Sequence, residues 1–305
     1  MIDTVGLRFE TEEGERAIGG LSGQTETINR QTGEAVLWGR LGNLRARATA
    51  QGFSLSGSLA RYHLGSNTQT LTRRAIQEAI EELSDRLSLP MEQARVYRLD
   101  LAANLIMKKA VVIYLPQLVS APRLKRSEIA DRQTLNFTNR QKTLCLYDKV
   151  QELRAKREPL PDIFTGRNVL RYENRLLRRL AAQFKRGEVR ASDLSNEVFY
   201  IQALDKWKGD YFLIQKIRRE QILNMESVKA LEKALAFYGL QVIGGQETAL
   251  DLIRAEREQG RIDKMQYHRL REKIKELSVA HCRAEESDDI SELDDKVRQA
   301  VANYR

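Results

Sequence analysis

The sequence is poor in cysteine and histidine and has no long apolar run, and each shortage closes a class of explanation. Two cysteines in 305 residues, Cys145 and Cys282, build no disulfide framework and show no C-x-x-C zinc spacing. Three histidines, His63, His268 and His281, stand far apart, so no H-x-H or H-E-x-x-H pair offers a His-centred metal site. No uninterrupted apolar stretch approaches the ~18–20 residues of a membrane span. Met1-Ile2-Asp3-Thr4 opens without the basic and apolar regions of a signal peptide, so a cytoplasmic protein is expected.

Charge is what the chain has in quantity. There are 51 Lys+Arg against 42 Asp+Glu, a formal charge of +9. Seven acids (Glu285, Glu286, Asp288, Asp289, Glu292, Asp294 and Asp295) fall in residues 285–305, so residues 1–284 carry +13. Such an excess argues for solubility and for a polyanionic partner, nucleic acid or anionic membrane, but says nothing of fold. With 42% hydrophobic and 30% charged residues the chain is globular, long enough for one large or two ordinary domains.

Along the chain, strands come first and helices later. Val5–Glu10, Glu34–Gly39 and Leu44–Ala50 alternate polar and apolar residues between glycines, as in a β meander. Thr70-Leu71-Thr72 then caps a helix with Ile76, Ala79, Ile80, Leu83 and Leu87 on one side, stopped by Pro90. Val96–Leu105 and Asn168–Leu176 alternate with period two, and Thr134–Phe137 pairs through a turn at Asn139-Arg140-Gln141 with Thr143–Lys149. Beyond about residue 175 the texture is helical. The expected class is α+β: an antiparallel β-sheet domain with flanking helices over 1–190, a mainly helical region over 191–284 that reads as a plain antiparallel helix pair or as a helix-turn-helix-like pair facing DNA, and an acidic segment over 285–305. That segment reads either as a solvated tail or as a mimic of DNA.

If the three strands after residue 95 are neighbours, one face collects Arg98, Asp100 and Asn104, then Arg171, Glu173 and Arg175, and either Tyr147 with Lys149 or Asp148 from the third. Antiparallel sheets commonly solvate such a face, where its ion pairs contribute ~0–1 kcal/mol and do nothing else. A tyrosine, with an ordinary pKa of about 10, becomes a nucleophile only when a cation or base favours the phenolate. Lys149 nearby, or a hard divalent cation on the two carboxylates, would do that, and arginines would hold phosphate.

Tyr97-Arg98-Leu99-Asp100, Thr143-Leu144-Cys145-Leu146-Tyr147-Asp148-Lys149-Val150-Gln151-Glu152 and Leu170-Arg171-Tyr172-Glu173-Asn174-Arg175, in that order, resemble the rolling-circle replication initiators of the filamentous-phage gene II type, which are similar in motif order to trans-acting plasmid Rep proteins. Met1-Ile2-Asp3 and Tyr62–Asn67 also resemble that pattern. The likeness covers roughly residues 1–180. It implies an endonuclease and strand transferase that nicks one origin strand, forms a 5′-phosphotyrosine link with a free 3′-OH, and later rejoins the displaced strand without ATP. Carried over by position, Tyr147, Lys149 and Arg171 are catalytic; Asp100, Glu173 and Asp3 hold Mg²⁺ or Mn²⁺; and Arg98, Arg175, Arg140, Lys142, Arg123, Lys125 and Arg126 contact DNA. The implied partners are origin DNA, a host helicase and a polymerase in a bacterial cell, and a homodimer is compatible with it. The rival reading is a non-catalytic DNA-binding regulator.

Overall fold

Period-two alternation in the first 180 residues becomes one antiparallel sheet. The computed structural model describes all residues except 12–13, 29, 32, 130–132, 218–226, 280–287 and 305. The strands are β1 (Ile2–Phe9), β2 (Ser22–Ile28), β3 (Ala35–Leu41), β4 (Leu44–Thr49), β5 (Gly52–Ser58), β6 (Arg95–Met107), β7 (Leu118–Ser120), β8 (Lys125–Ile129), β9 (Thr134–Thr138), β10 (Lys142–Asp148), β11 (Asn168–Leu176) and β12 (Gln215–Lys216). Ten of them form a sheet in the order β2-β3-β4-β5-β1-β6-β11-β10-β9-β8, while β7 and β12 pair separately. The α+β expectation holds: helices pack on this sheet, and the later part of the chain is mainly helical.

Each strand sends alternate side chains to opposite faces. Leu99, Leu101, Ala103, Leu144, Leu146, Leu170 and Tyr172 are buried on the inner face. They share one apolar core with the helices Arg73–Leu87, Glu197–Phe212 and Asp288–Tyr304. The first of these begins where Thr72 accepts from Ala75 N at 3.1 Å, as the capping pattern predicts. Trp207 and Tyr211 are core residues: the Tyr172 ring lies 4.7 Å from that of Trp207, and its hydroxyl donates to the Trp207 carbonyl. Burying each large apolar side chain contributes about 1.5–3 kcal/mol.

The core continues past residue 190 and takes in the acidic end of the chain. Glu285 and Glu286 lie outside the described residues, but Asp288–Tyr304 is neither a solvated tail nor a free acidic surface. Leu293, Val297, Ala300 and Val301 are buried at helical spacing, and the acids are tied down. Asp289 pairs with Lys109 at 2.6 Å, Glu292 accepts from Tyr114 Oη at 2.6 Å, and Asp294 accepts from Tyr211 Oη at 2.7 Å. Counting charge alone hid this apolar stripe. The helices Val228–Val242, Gly245–Glu258 and Lys264–Val279 pack on one another, the last two joined through Gly260 in the left-handed region. No helix among the described residues is long and apolar enough to cross a membrane.

Candidate functional site: a tyrosine, three carboxylates and three arginines on the open face

The outer face of the central strands is polar because the register aligns polar positions. Tyr147 of β10 lies opposite Arg171 of β11, Arg175 lies opposite Asp100 of β6, and Asp100 opposite Thr4 of β1. A β-bulge between Ile2 and Thr4 brings Asp3 to the same place. Asp3, Arg98, Asp100, Tyr147, Glu173 and Arg175 line one open cleft of ≈ 480 Å³. The larger cavity, ≈ 610 Å³, lies between the helix Arg73–Leu87 and the turn Ala191–Ser195 and contains none of them. The smaller, polar cleft, which gathers the tyrosine, carboxylates and arginines that the sequence nominates, is the candidate site.

Hydrogen bonds tie the cluster into one network. Tyr147 Oη donates to Glu173 Oε1 at 2.8 Å, and Arg171 Nε donates to the same oxygen at 2.7 Å. Arg175 Nε holds Glu173 Oε2 at 2.8 Å. Arg171 reaches Asp3 Oδ2 at 2.7 Å, while Ser58 donates to Asp3 Oδ1. Arg98 grips Asp100 with two bonds, at 3.0 and 2.6 Å. This is the bidentate geometry in which guanidinium binds carboxylate or phosphate.

The electrostatics follow from burial and these partners. Burial alone would raise Glu173, but Arg171 and Arg175 outweigh it and hold its carboxyl at about 2. Asp100 goes the other way, because burial exceeds the pull of Arg98. Burial, and then the charge of Glu173, push the Tyr147 phenol well above its ordinary range, so Tyr147 is protonated here. Burial also pushes the Cys145 thiol up to about 12, which makes it an inert neighbour.

The chain resembles known proteins in the region that builds this cleft. The family model for the N-terminal region of the replication-associated gene II protein matches residues 1–208. The chain belongs to this family of replication-associated proteins. No curated protein matches it.

Of the residues that the sequence nominates for a gene II-type site, Tyr147, Arg171, Glu173, Asp100, Asp3, Arg98 and Arg175 come together, Lys149 joins them at one remove through Asn67 and Glu152 of the cleft lining, and the rest lie elsewhere. Lys149 is no strand residue. β10 stops at Asp148, whose side chain caps the helix Lys149–Ala155, so Lys149 reaches the edge of the cleft from the first turn of that helix and not from the strand. Its ammonium is fully buried on Glu152 at 2.7 Å and Asn67 at 3.1 Å, and burial depresses its pKa. Lys142 points to the inner face and binds Asp210 at 2.6 Å, and Arg126 is bonded to the Leu118 carbonyl and Glu128. Arg123, Lys125 and Arg140 are exposed but lie outside the cleft lining. Asn104, which alternation puts on this face, accepts from Arg171 through its side chain at 3.1 Å, whereas sequence reading gives no role to Asn67, whose carbonyl accepts from Arg171 at 3.0 Å. Asn67 ends the Tyr62–Asn67 segment of the phage-type pattern, which was the available signal.

As arranged, the carboxylates do not fit a metal centre. Among the described residues no group of three or more His, Cys, Asp or Glu is placed to share a cation. Asp3, Asp100 and Glu173 direct oxygens at guanidinium groups instead.

Proposed function

We propose that the protein initiates rolling-circle replication by nicking one strand of origin DNA with Tyr147. The observation that carries this reading is the Tyr147 Oη to Glu173 Oε1 hydrogen bond at 2.8 Å, a nucleophile and its base in contact within an arginine-lined cleft of a replication-associated family. Tyr147 Oη attacks a backbone phosphorus as its proton passes to Glu173. The phosphorus–O3′ bond breaks, and the departing oxygen takes a proton from water to become the 3′-OH. The strand is left on Tyr147 through its 5′ phosphate. Attack by a 3′-OH on that link reverses the step and rejoins the strand, so no nucleotide cofactor is needed.

A carboxyl held at about 2 is a weak base, and incoming DNA supplies the remedy. Arg98 and Arg175 are the partly exposed members of the cluster, and a phosphate competes for the same bidentate geometry. When Arg175 moves to phosphate, Glu173 loses one of its two guanidiniums and gains basicity where the proton must go. Arg171, buried on Asp3 and Glu173, stays and orients the base. Mg²⁺ or Mn²⁺, the cofactor that the resemblance implies, would need Arg98 to leave Asp100 before it could bind there, and no step above runs through it. The test is a denaturing gel of a labelled single-stranded origin oligonucleotide incubated with wild type and Tyr147→Phe. A covalent adduct from wild type alone supports the reading, and an adduct from Tyr147→Phe removes Tyr147 from the role.

A further inference from the structure

The outer face does not end at the cleft. It runs on across β6, β1, β5, β4 and β3, where the registers line up two rows of side chains. One row is Trp38, Arg47, Ser54 and Arg8; the other is Arg40, Arg45, Ser56, Gly6 and Arg98. Neither row contains an acid. Whereas Arg98, Arg171 and Arg175 hold carboxylates, Arg8, Arg40, Arg45 and Arg47 pair with none among the described residues. Serine and glycine floor the middle of this surface, leaving it low between guanidinium groups.

Two aromatic rings bracket it. Trp38 is 38% exposed, with Arg47 stacked at 5.8 Å from its ring, and Tyr97 is 39% exposed. Tyr97 reaches this face because β1 and β6 change register between Gly6 and Leu7. Gly6 makes room for it: a Cβ there would sit 2.6 Å from Tyr97 Cζ and 2.7 Å from Cε2, so only glycine lets the ring lie over β1. Tyr97 thus stands beside Arg98 at the cleft, and Trp38 four strands away, about 19 Å at ~4.8 Å per strand.

We propose that this face is a track for single-stranded DNA leading from the cleft, with Tyr97 and Trp38 as base-stacking platforms and Arg8, Arg45 and Arg47 on the phosphates. The choice of DNA rests on the nicking reading above. The choice of a single strand rests on the rings, because exposed aromatic faces stack on unpaired bases, whereas duplex bases already stack on one another. The span between the rings accommodates a few nucleotides.

The chain has two tryptophans, and Trp207 is fully buried, so quenching of indole emission reports Trp38. Titration of the wild-type protein with a 15-residue oligo(dT) is expected to quench emission saturably, and the oligo(dA)·oligo(dT) duplex to leave it unchanged. By fluorescence anisotropy, Trp38→Ala and Tyr97→Ala are each expected to weaken oligo(dT) binding about 5- to 100-fold, with Tyr97→Phe retaining it. Arg8→Ala and Arg45→Ala are each expected to lower the salt dependence of log Kd by about one. Unquenched emission together with unchanged affinity in folded Trp38→Ala and Tyr97→Ala overturns the track. A Tyr147 adduct without quenching sinks the track and keeps the nicking reading, and quenching without an adduct does the reverse.

Discussion

Tyr147 Oη and Arg171 Nε share one oxygen of Glu173, at 2.8 and 2.7 Å, so the side chain that would take the phenol's proton is fixed by an arginine that is itself buried. Glu173→Gln keeps the size of the side chain and removes the proton acceptor. It is expected to lower the single-turnover rate of adduct formation by about 10²–10⁴-fold, the range typical of general-base loss. Oligonucleotide affinity should change little by comparison. Adduct formation at the wild-type rate in Glu173→Gln would end the assignment of Glu173 as the base.

The same carboxyl sets an acid limit on stability. Its folded pKa of about 2 lies below the ordinary 4.5, so its contribution is fully present above about pH 4.5 and is lost as the pH falls towards 2. Asp100, pushed up by burial, acts with the opposite sign and partly offsets it. Thermal melts from pH 6 down to 3 should show wild type losing stability more steeply than Glu173→Gln, by up to about 2 kcal/mol across the interval. Parallel curves would mean that Glu173 is not held in its charged form by Arg171 and Arg175.

The sheet and much of the cleft were legible in the sequence because alternation maps directly onto faces. β11 begins and ends at Asn168 and Leu176, as the pattern predicts, and Arg171, Glu173 and Arg175 share a face for that reason alone. What alternation does not encode is where a strand stops and which face carries helices. Asp148 is both a strand residue and an N-cap, and that second property puts Lys149 on a helix, from which it meets the cleft through Asn67 and Glu152 and not beside Tyr147 on the strand. Lys142 sits at an even position of β10 and so faces the core, where Asp210, 68 residues away, awaits it. Asn67 enters through a loop, for which no periodicity exists. Bulges are equally silent, and two of them carry Asp3 and Tyr97 to the open face.

Lys142 and Asp210 provide a test of that distinction. Asp210 is buried, accepts from Lys142 at 2.6 Å and Asn174 at 2.7 Å, and lies 3.3 Å from Lys206. Asp210→Ala should destabilise the fold by about 3–5 kcal/mol, because it strands buried donors. Lys142→Ala should lower stability as well, yet leave the salt dependence of DNA binding at the wild-type slope, since its ammonium is on the side away from the cleft. A reduced slope in folded Lys142→Ala would place it at the DNA instead.

The C-terminal helix is expected to behave as part of the sheet's core. Leu293 and Val297 are fully buried in it. Leu293→Ala should cost about 2–5 kcal/mol in chemical denaturation, and a chain ending before residue 288 should melt well below wild type in a single broadened transition. A truncated chain with an unchanged melting temperature would show the helix to be dispensable.

Asp100 is the carboxylate for which a divalent cation must compete most directly. Arg98 occupies both of its oxygens, and burial already favours its protonated form, so a cation gains little there while the guanidinium stays. Titration calorimetry of DNA-free wild type with Mn²⁺ is therefore expected to give no saturable heat in the micromolar range. Binding should appear with an uncleaved oligonucleotide present on Tyr147→Phe, where phosphate draws Arg98 away. Arg98→Ala should bind Mn²⁺ without DNA, because the carboxylate is then free to coordinate it. If strand transfer by wild type persists in full after exhaustive chelation, the cation leaves the mechanism and Asp100 is reduced to holding Arg98 in place until DNA arrives.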